Sequence, residues 1–196
     1  MEHERFFGTV EASLCGGVDA VLVREKQMDS ARLLAFCSRL KTMTTAHDAL
    51  LIVHSQADVA RAVGADGVHV AAADIDEIPV MRPWLNCANM TISASCHDAE
   101  ELNRAASCGA DFALLSPVFP TASHPGTPHL GVKQFRALAD ALSLPVVALG
   151  GIALENRTKL ACYPVAVISA ILDANNPELA ACQLHEGLTS PDISTE

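Results

Sequence analysis

Seven short apolar runs recur along the chain with little polar alternation inside them: DAVLVRE (19–25), ALLIVHS (49–55), GVHVA (67–71), MTISASC (90–96), FALLSPV (112–118), PVVALGG (145–151) and VAVISAI (165–171). A strand covered on both faces has no polar side to show, so these runs read as buried strands of a parallel sheet. Helical periods lie between most of them. Asp29 is placed to cap a helix in which Leu33, Leu34, Cys37 and Leu40 recur at helical spacing. Asp98 opens another with Ala99, Leu102 and Ala105, and Phe135, Leu138, Ala139 and Leu142 repeat the pattern. Buried strands joined by helices make the chain α/β.

Such a sheet closes into a barrel or stays open and doubly wound. No GxGxxG or P-loop fingerprint follows the early strands, whereas polar residues gather after almost every one: Arg24–Lys26, His54–Ser55, His69–Asp74, Ser95–His97 and Gly150–Gly151. That distribution favours a (β/α)₈ TIM barrel, whose site collects at the C-terminal ends of its strands. Seven strands are found where a barrel has eight. The chain opens on a helical stretch, GTVEASLCGG, so the usual first strand is missing or atypical. A single domain over 1–190 with a tail at 191–196 is expected.

Composition narrows the partners. At 196 residues and 50% hydrophobic, the chain is long enough for one large core. Its mean hydropathy of +0.26 is positive, yet no apolar run approaches the roughly 20 residues of a spanning helix, so no membrane role is expected. The first residues carry acids and lack a secretory signal's basic start and apolar centre, which points to the cytoplasm. A formal charge of −10 argues against a nucleic-acid surface, and any anionic ligand must be held by local groups. Seven cysteines at 15, 37, 87, 96, 108, 162 and 182 contain no CxxC pair. They read mostly as small core residues rather than as disulfides or a zinc site. A homo-oligomer stays open.

The most specific chemistry lies late in the chain. ALGGI (148–152) and VISAI (167–171) set backbone N–H groups beside two successive strand ends, where barrels bind phosphate. A plain tight turn at Gly150–Gly151 is the competing reading, and the spacing to the second segment raises the phosphate one. The loop SPVFPTASHPGTPHLG (116–131) offers the hydroxyls of Thr121 and Ser123 and a conditional cation at His124. Pro120, Pro125 and Pro128 lower the entropy of holding them. An anion receptor and a surface excursion both suit this loop.

VLVREK (21–26), ADGVHVAAADI (65–75), ISASCHDAEEL (92–102), GADFALLSPVFPTASHPGTPHLG (109–131), PVVALGGI (145–152), EN (155–156) and VAVISAIL (165–172) stand in the order seen in the thiamine-phosphate synthase and thiazole tautomerase family. The chain resembles that family from about Gly8 onward. The resemblance implies an aldolase-type barrel and a transferase of thiamine biosynthesis. Such an enzyme couples a hydroxymethylpyrimidine pyrophosphate to a thiazole phosphate and releases pyrophosphate with magnesium. Departure of pyrophosphate leaves a pyrimidine-stabilised carbocation for the thiazole nitrogen, so anion receptors and positioning matter more than a nucleophile.

By the same resemblance, Arg24 and Lys26 bind pyrophosphate, and Ser95 and His97 match a catalytic-set serine and histidine after the strand; Ser95 meets the pyrimidine, and His97 reads equally as a helix-capping or core-edge histidine. Thr121 and Ser123 hold pyrophosphate oxygens, and Gly150, Gly151, Ile168 and Ser169 form the thiazole-phosphate site. Asp74 matches one of two magnesium-holding aspartates. His54–Ser55 replace an Asn-Asp pair that includes the second; His54 stays in the substrate-facing set, and one aspartate leaves Mg²⁺ dependent on substrate phosphates. Leu22 and Ala72 replace glutamines, and His124 replaces a lysine whose charge was unconditional. These departures make a tautomerase-like isomerase a rival, although Pro117 stands where its catalytic histidine belongs. His54, His69, His97 or His124 would then serve as acid or base. A zinc hydrolase using His54, His69, His97 and Asp74, and a non-catalytic phosphate-binding paralogue, complete the readings.

Overall fold

The computed structural model describes residues 2–87, 89–121, 126 and 128–186. Chain order runs α1 (Glu2–Cys15), β1 (Ala20–Val23), α2 (Ser30–Ala46), β2 (Leu50–His54), α3 (Ala57–Val63) and β3 (Gly67–Val70). A 3₁₀ turn (Ala72–Glu77) leads into α4 (Ile78–Leu85), β4 (Thr91–Cys96), α5 (Ala99–Ser107) and β5 (Phe112–Leu115). After α6 (Gly131–Ala139) come β6 (Val146–Leu149), α7 (Leu154–Arg157), β7 (Val165–Ala166), α8 (Ser169–Leu172) and α9 (Pro177–Glu186). All seven expected strands are present, and the chain begins on a helix. No described helix is long and apolar enough to cross a membrane.

The chain divides into two compact units, Asp19–Ala113 and Met1–Val18 with Leu114–Glu196. In the first, β1 to β4 pair in parallel and in sequence order, with Leu51 opposite Val21, Val68 opposite Val53 and Ile92 opposite Val68. Leu51, Val53, Val68 and Ile92 are fully buried, as expected of strands covered on both faces. Asp29 and Asp98 cap α2 and α5 as their positions predict, accepting the amides of Arg32 and Glu101 at 2.9 Å each.

Two acids in this unit repeat one device. Asp66 follows α3 and accepts the Leu51 amide at 2.8 Å while pairing with Lys41 at 2.7 Å. Asp111 follows α5, accepts the Ile92 amide at 2.6 Å and pairs with Arg82 at 2.8 Å. Each Gly-Ala-Asp segment thereby ties a helix end to the start of a neighbouring strand, with a cation on the same carboxylate.

In the second unit α1 packs on α9, burying Phe7, Val10 and Leu14 with Ala180, Ala181 and Leu184. Arg157, 2% exposed, sits among them. Its Nε donates to the Leu184 carbonyl at 2.8 Å and its Nη1 to the Leu160 carbonyl at 2.9 Å. The Leu184 carbonyl lies in the last turn of α9, where it lacks a partner in its own helix and a cation is most useful, and the Leu160 carbonyl also accepts the Tyr163 amide at 3.0 Å.

Three expectations need correction. Leu34 is 39% exposed, because the buried stripe of α2 is Leu33, Cys37, Leu40 and Thr44 and Leu34 lies about 100° away from Leu33. The run 165–171 is a two-residue strand followed by helix from Ser169, and 112–118 stops at Leu115 before Pro117, which has no amide to donate. Only Cys37 and Cys96 among the seven free cysteines are buried. Burial pushes their thiols up to about 11 and about 12, so these two stay protonated.

Arg157→Met, which keeps the stem and removes the donors, is expected to cost about 1–3 kcal/mol by stranding the buried Leu184 carbonyl. Urea unfolding of the variant against the parent protein measures it; an unchanged midpoint would contradict this role.

Candidate functional site

In the Asp19–Ala113 unit, the strand register builds a polar row. His54 is paired with His69 and His69 with Ser93, so the three side chains share one face of the sheet. Ser95, two residues beyond Ser93, joins that face. His69 is 3% exposed and holds both serines, Nδ1 to Ser93 Oγ and Nε2 to Ser95 Oγ at 2.8 Å each. The rings of His54 and His69 lie 5.6 Å apart. Arg24, just past β1, donates its Nε–H to His54 Nε2 at 3.4 Å. In the neutral ring that places the His54 proton on Nδ1, which is buried with no partner among the described residues.

The row is held neutral. Burial pushes His69 down to about 3, with His54 and Arg24 adding to the effect. His54 is lowered by burial and then by Arg24, opposed by Asp74, with Lys26 adding to the lowering. Arg24, Lys26 and Asp74 therefore act on one imidazole. The Asp74 segment is fixed by Arg104, whose guanidinium donates to the Ala72 carbonyl. His97 stands apart from the row in its bonding: its amide and its Nδ1 both meet Glu101 Oε2 at 2.8 Å.

The zinc reading finds no ligand set. Both ring nitrogens of His69 already serve serines and His97 serves Glu101. Among the described residues no trio of metal-ligating side chains gathers around Asp74.

The other unit presents backbone. Gly150 and Gly151 have φ of 96° and 66°, values open to glycine. They pass so close to the 116–121 segment that a Cβ on Gly150 would lie 2.7 Å from Pro117 Cα, and one on Gly151 only 2.3 Å from the Pro120 carbonyl oxygen. Val118 and Phe119 donate to the carbonyls of Leu149 and Gly150 at 2.9 and 3.0 Å, which locks loop to turn. Leu130 and Gly131 return to the carbonyls of Pro117 and Val118 at 3.0 and 2.9 Å, closing the far end of the loop. Asn156 braces the turn: its Nδ2 donates to Gly151 O at 2.9 Å and its Oδ1 accepts the Ala153 amide at 3.0 Å.

Among the described residues no hydrogen bond engages the amides of Gly151 or Ser169. Ser169 is exposed and opens α8, and Ile168 before it is 62% exposed. A hollow of about 440 Å³ beside Ser169 carries the carboxylates of Glu155 and Asp173. Those charges suit an anion poorly, so the turn's amides are the better receptor. Thr121 is half-buried at the loop; Ser123 and His124 lie outside the described residues.

Sequence reasoning missed Ser93 and the side chain of Asn156. The signal for the first was there: in TISASC (91–96) the serines at 93 and 95 alternate with Ile92 and Ala94, a period-2 pattern inside a run read as uniformly apolar. Asn156 three residues after Ala153 is a helix-entry spacing whose bracing role needs the turn's coordinates.

Parallel strands alternating with helices, polar groups following the strand ends, define a TIM-barrel-like α/β protein. The chain belongs to the thiamine monophosphate synthase family, whose model matches residues 1–171. It is 34% identical to the thiamine-phosphate synthase of Methanococcus maripaludis over 181 residues, 91% of this chain and 86% of that one. The thiamine-phosphate synthase of Chromobacterium violaceum is 36% identical over 187 residues, covering 92% and 88%. Among solved structures, thiamine phosphate pyrophosphorylase from Pyrococcus furiosus aligns with a TM-score of 0.82 at 31% identity, over 92% of this chain and 88% of that one. The fold class and family expected from the sequence are both met.

A histidine buried neutral resists acid. With a folded pKa of about 3 against an ordinary 6.5, the unfolded chain binds the extra proton, so His69's contribution is full above about pH 6.5 and is lost as pH falls toward 3. Replacing His69 by Gln is expected to remove about one proton, roughly 1.4 kcal/mol per pH unit, from the slope of unfolding free energy between pH 4 and 6. Urea titrations across that range measure it, and an unchanged slope would contradict the neutral assignment.

Proposed function

We propose that the protein joins a hydroxymethylpyrimidine pyrophosphate to a thiazole phosphate, giving thiamine phosphate and pyrophosphate. The reaction breaks the bond between the pyrimidine methylene carbon and its bridging oxygen, and the electron pair leaves with pyrophosphate. The thiazole nitrogen then donates its lone pair to that carbon. No group on the enzyme is required to give or take a proton at the reacting carbon, and what is required is neutralisation of the leaving anion and alignment of the two partners.

The observation that carries this reading is the cation pair at the end of β1, with Arg24 oriented by His54 and Lys26 acting on the same ring. Arg24 and Lys26 receive the leaving pyrophosphate. Ser95 meets the pyrimidine. Gly151, Ile168 and Ser169 receive the thiazole phosphate through backbone N–H groups, a role supported by the amides of Gly151 and Ser169, which no hydrogen bond engages among the described residues. His97, bonded to Glu101, contributes helix entry rather than chemistry.

Magnesium fits this donor set only in part. Asp74 supplies one exposed carboxylate, and the ion prefers several oxygens, so Asp74 would hold it only with help from substrate oxygens and water. Bound there, it would neutralise charge on the leaving group.

Incubation with both precursors and magnesium is expected to yield thiamine phosphate, and Arg24→Ala to lower kcat about 100-fold or more. Ser169→Asp, which sets a like charge in the nest, is expected to weaken thiazole-phosphate binding at least about tenfold by titration calorimetry. Coupling that is absent in the parent protein, or thiazole-phosphate binding unchanged in the Asp variant, would contradict the reading.

A further inference from the structure

The two serines on His69 pose a counting problem. Two hydrogen bonds link three groups that carry three protons when the imidazole is neutral: one on the ring and one on each hydroxyl. Two protons fill the two bonds, and one is left over. It resides on Ser93 if the ring is protonated at Nδ1, or on Ser95 if the ring is protonated at Nε2.

The surroundings decide between them. Ser93 is fully buried and has no second partner among the described residues, so a leftover proton there is a stranded donor costing about 1–3 kcal/mol. Ser95 is half-buried and can offer its proton outward. A doubly protonated ring is opposed by the groups that face it, His54 across the β2–β3 pairing and Arg24 beyond it. The protonation pattern then runs one way: Ser93 O–H donates to Nδ1, Nε2–H donates to Ser95 Oγ, and the Ser95 hydroxyl proton points to whatever binds.

We propose that His69 is a positioning residue that makes Ser95 an obligate hydrogen-bond donor, so that the chain selects a substrate atom with a lone pair, such as a pyrimidine ring nitrogen, at this point. The inference rests on the reading above that Ser95 meets the pyrimidine. It gives the buried histidine a function without asking it to move a proton, and it explains why two serines stand two residues apart on β4 facing one imidazole.

The test has two arms. In the intact protein with ¹⁵N-labelled histidine, NMR at pH 7 is expected to show His69 as the Nε2–H tautomer and to keep it through pH 5. An Nδ1–H tautomer, or titration of His69 near pH 6, overturns the proposal whether or not the protein couples its precursors. The kinetic arm uses amides that mimic one ring nitrogen each: Gln places a donor where Nε2–H stands, Asn where Nδ1 stands. His69→Asn is expected to lower kcat/KM about tenfold or more and His69→Gln to recover most of that loss. In a Ser95→Ala background the Asn substitution is expected to cost less than about twofold, since its route through Ser95 is gone. Full, independent losses in that background overturn the proposal. Absence of coupling in the parent protein instead removes the proposed function and leaves the tautomer measurement to decide the inference.

Discussion

The register of β2, β3 and β4 is the constraint on which the site in the Asp19–Ala113 unit depends. Pairing His54 with His69 and His69 with Ser93 places two imidazoles and a hydroxyl on one face, and the two-residue period of a strand adds Ser95. A slip of one residue would send this whole set to the opposite face and bring Val53, Val68 and Ile92 in its place. The carboxylates of Asp66 and Asp111 guard against such a slip by holding the second amides of β2 and β4, at Leu51 and Ile92. Stability and site geometry thus share the same bonds.

The second unit solves a different problem. Its candidate anion receptor is made of backbone, and backbone cannot be aimed by choosing a side chain. Aim comes from close approach: the Gly150–Gly151 turn lies against Pro117 and Pro120 where no Cβ fits, and two amides of the loop donate back into the turn. Asn156 then fixes the Gly151 carbonyl, which sets the plane of the following peptide. Any side chain at either glycine would push loop and turn apart, so these positions carry geometry instead of chemistry.

Much of this was legible in the residues. Buried runs without polar alternation located all seven strands, and Asp29 and Asp98 marked two helix starts, because both signals are local. The family followed from the order of motifs along the chain. What failed was also local in cause. Ser169–Ile171 reads as the end of a strand by its Val-Ile neighbours but turns as helix, since short apolar runs do not distinguish the two. Exposed Cys15, Cys87 and Cys162 show that cysteine content does not report burial residue by residue. Ser93 stayed hidden because its role exists only across the β3–β4 pairing, and the helix-capping reading of His97 acquires its partner, Glu101, one helical turn away.

The proposed reaction requires that the leaving pyrophosphate be received at the end of β1. A crystal structure of the protein grown with magnesium and inorganic pyrophosphate tests it most directly. Pyrophosphate oxygens on Arg24 and Lys26, with Asp74 facing the metal, are the predicted result. Pyrophosphate bound elsewhere while Arg24 and Lys26 face only water would contradict it.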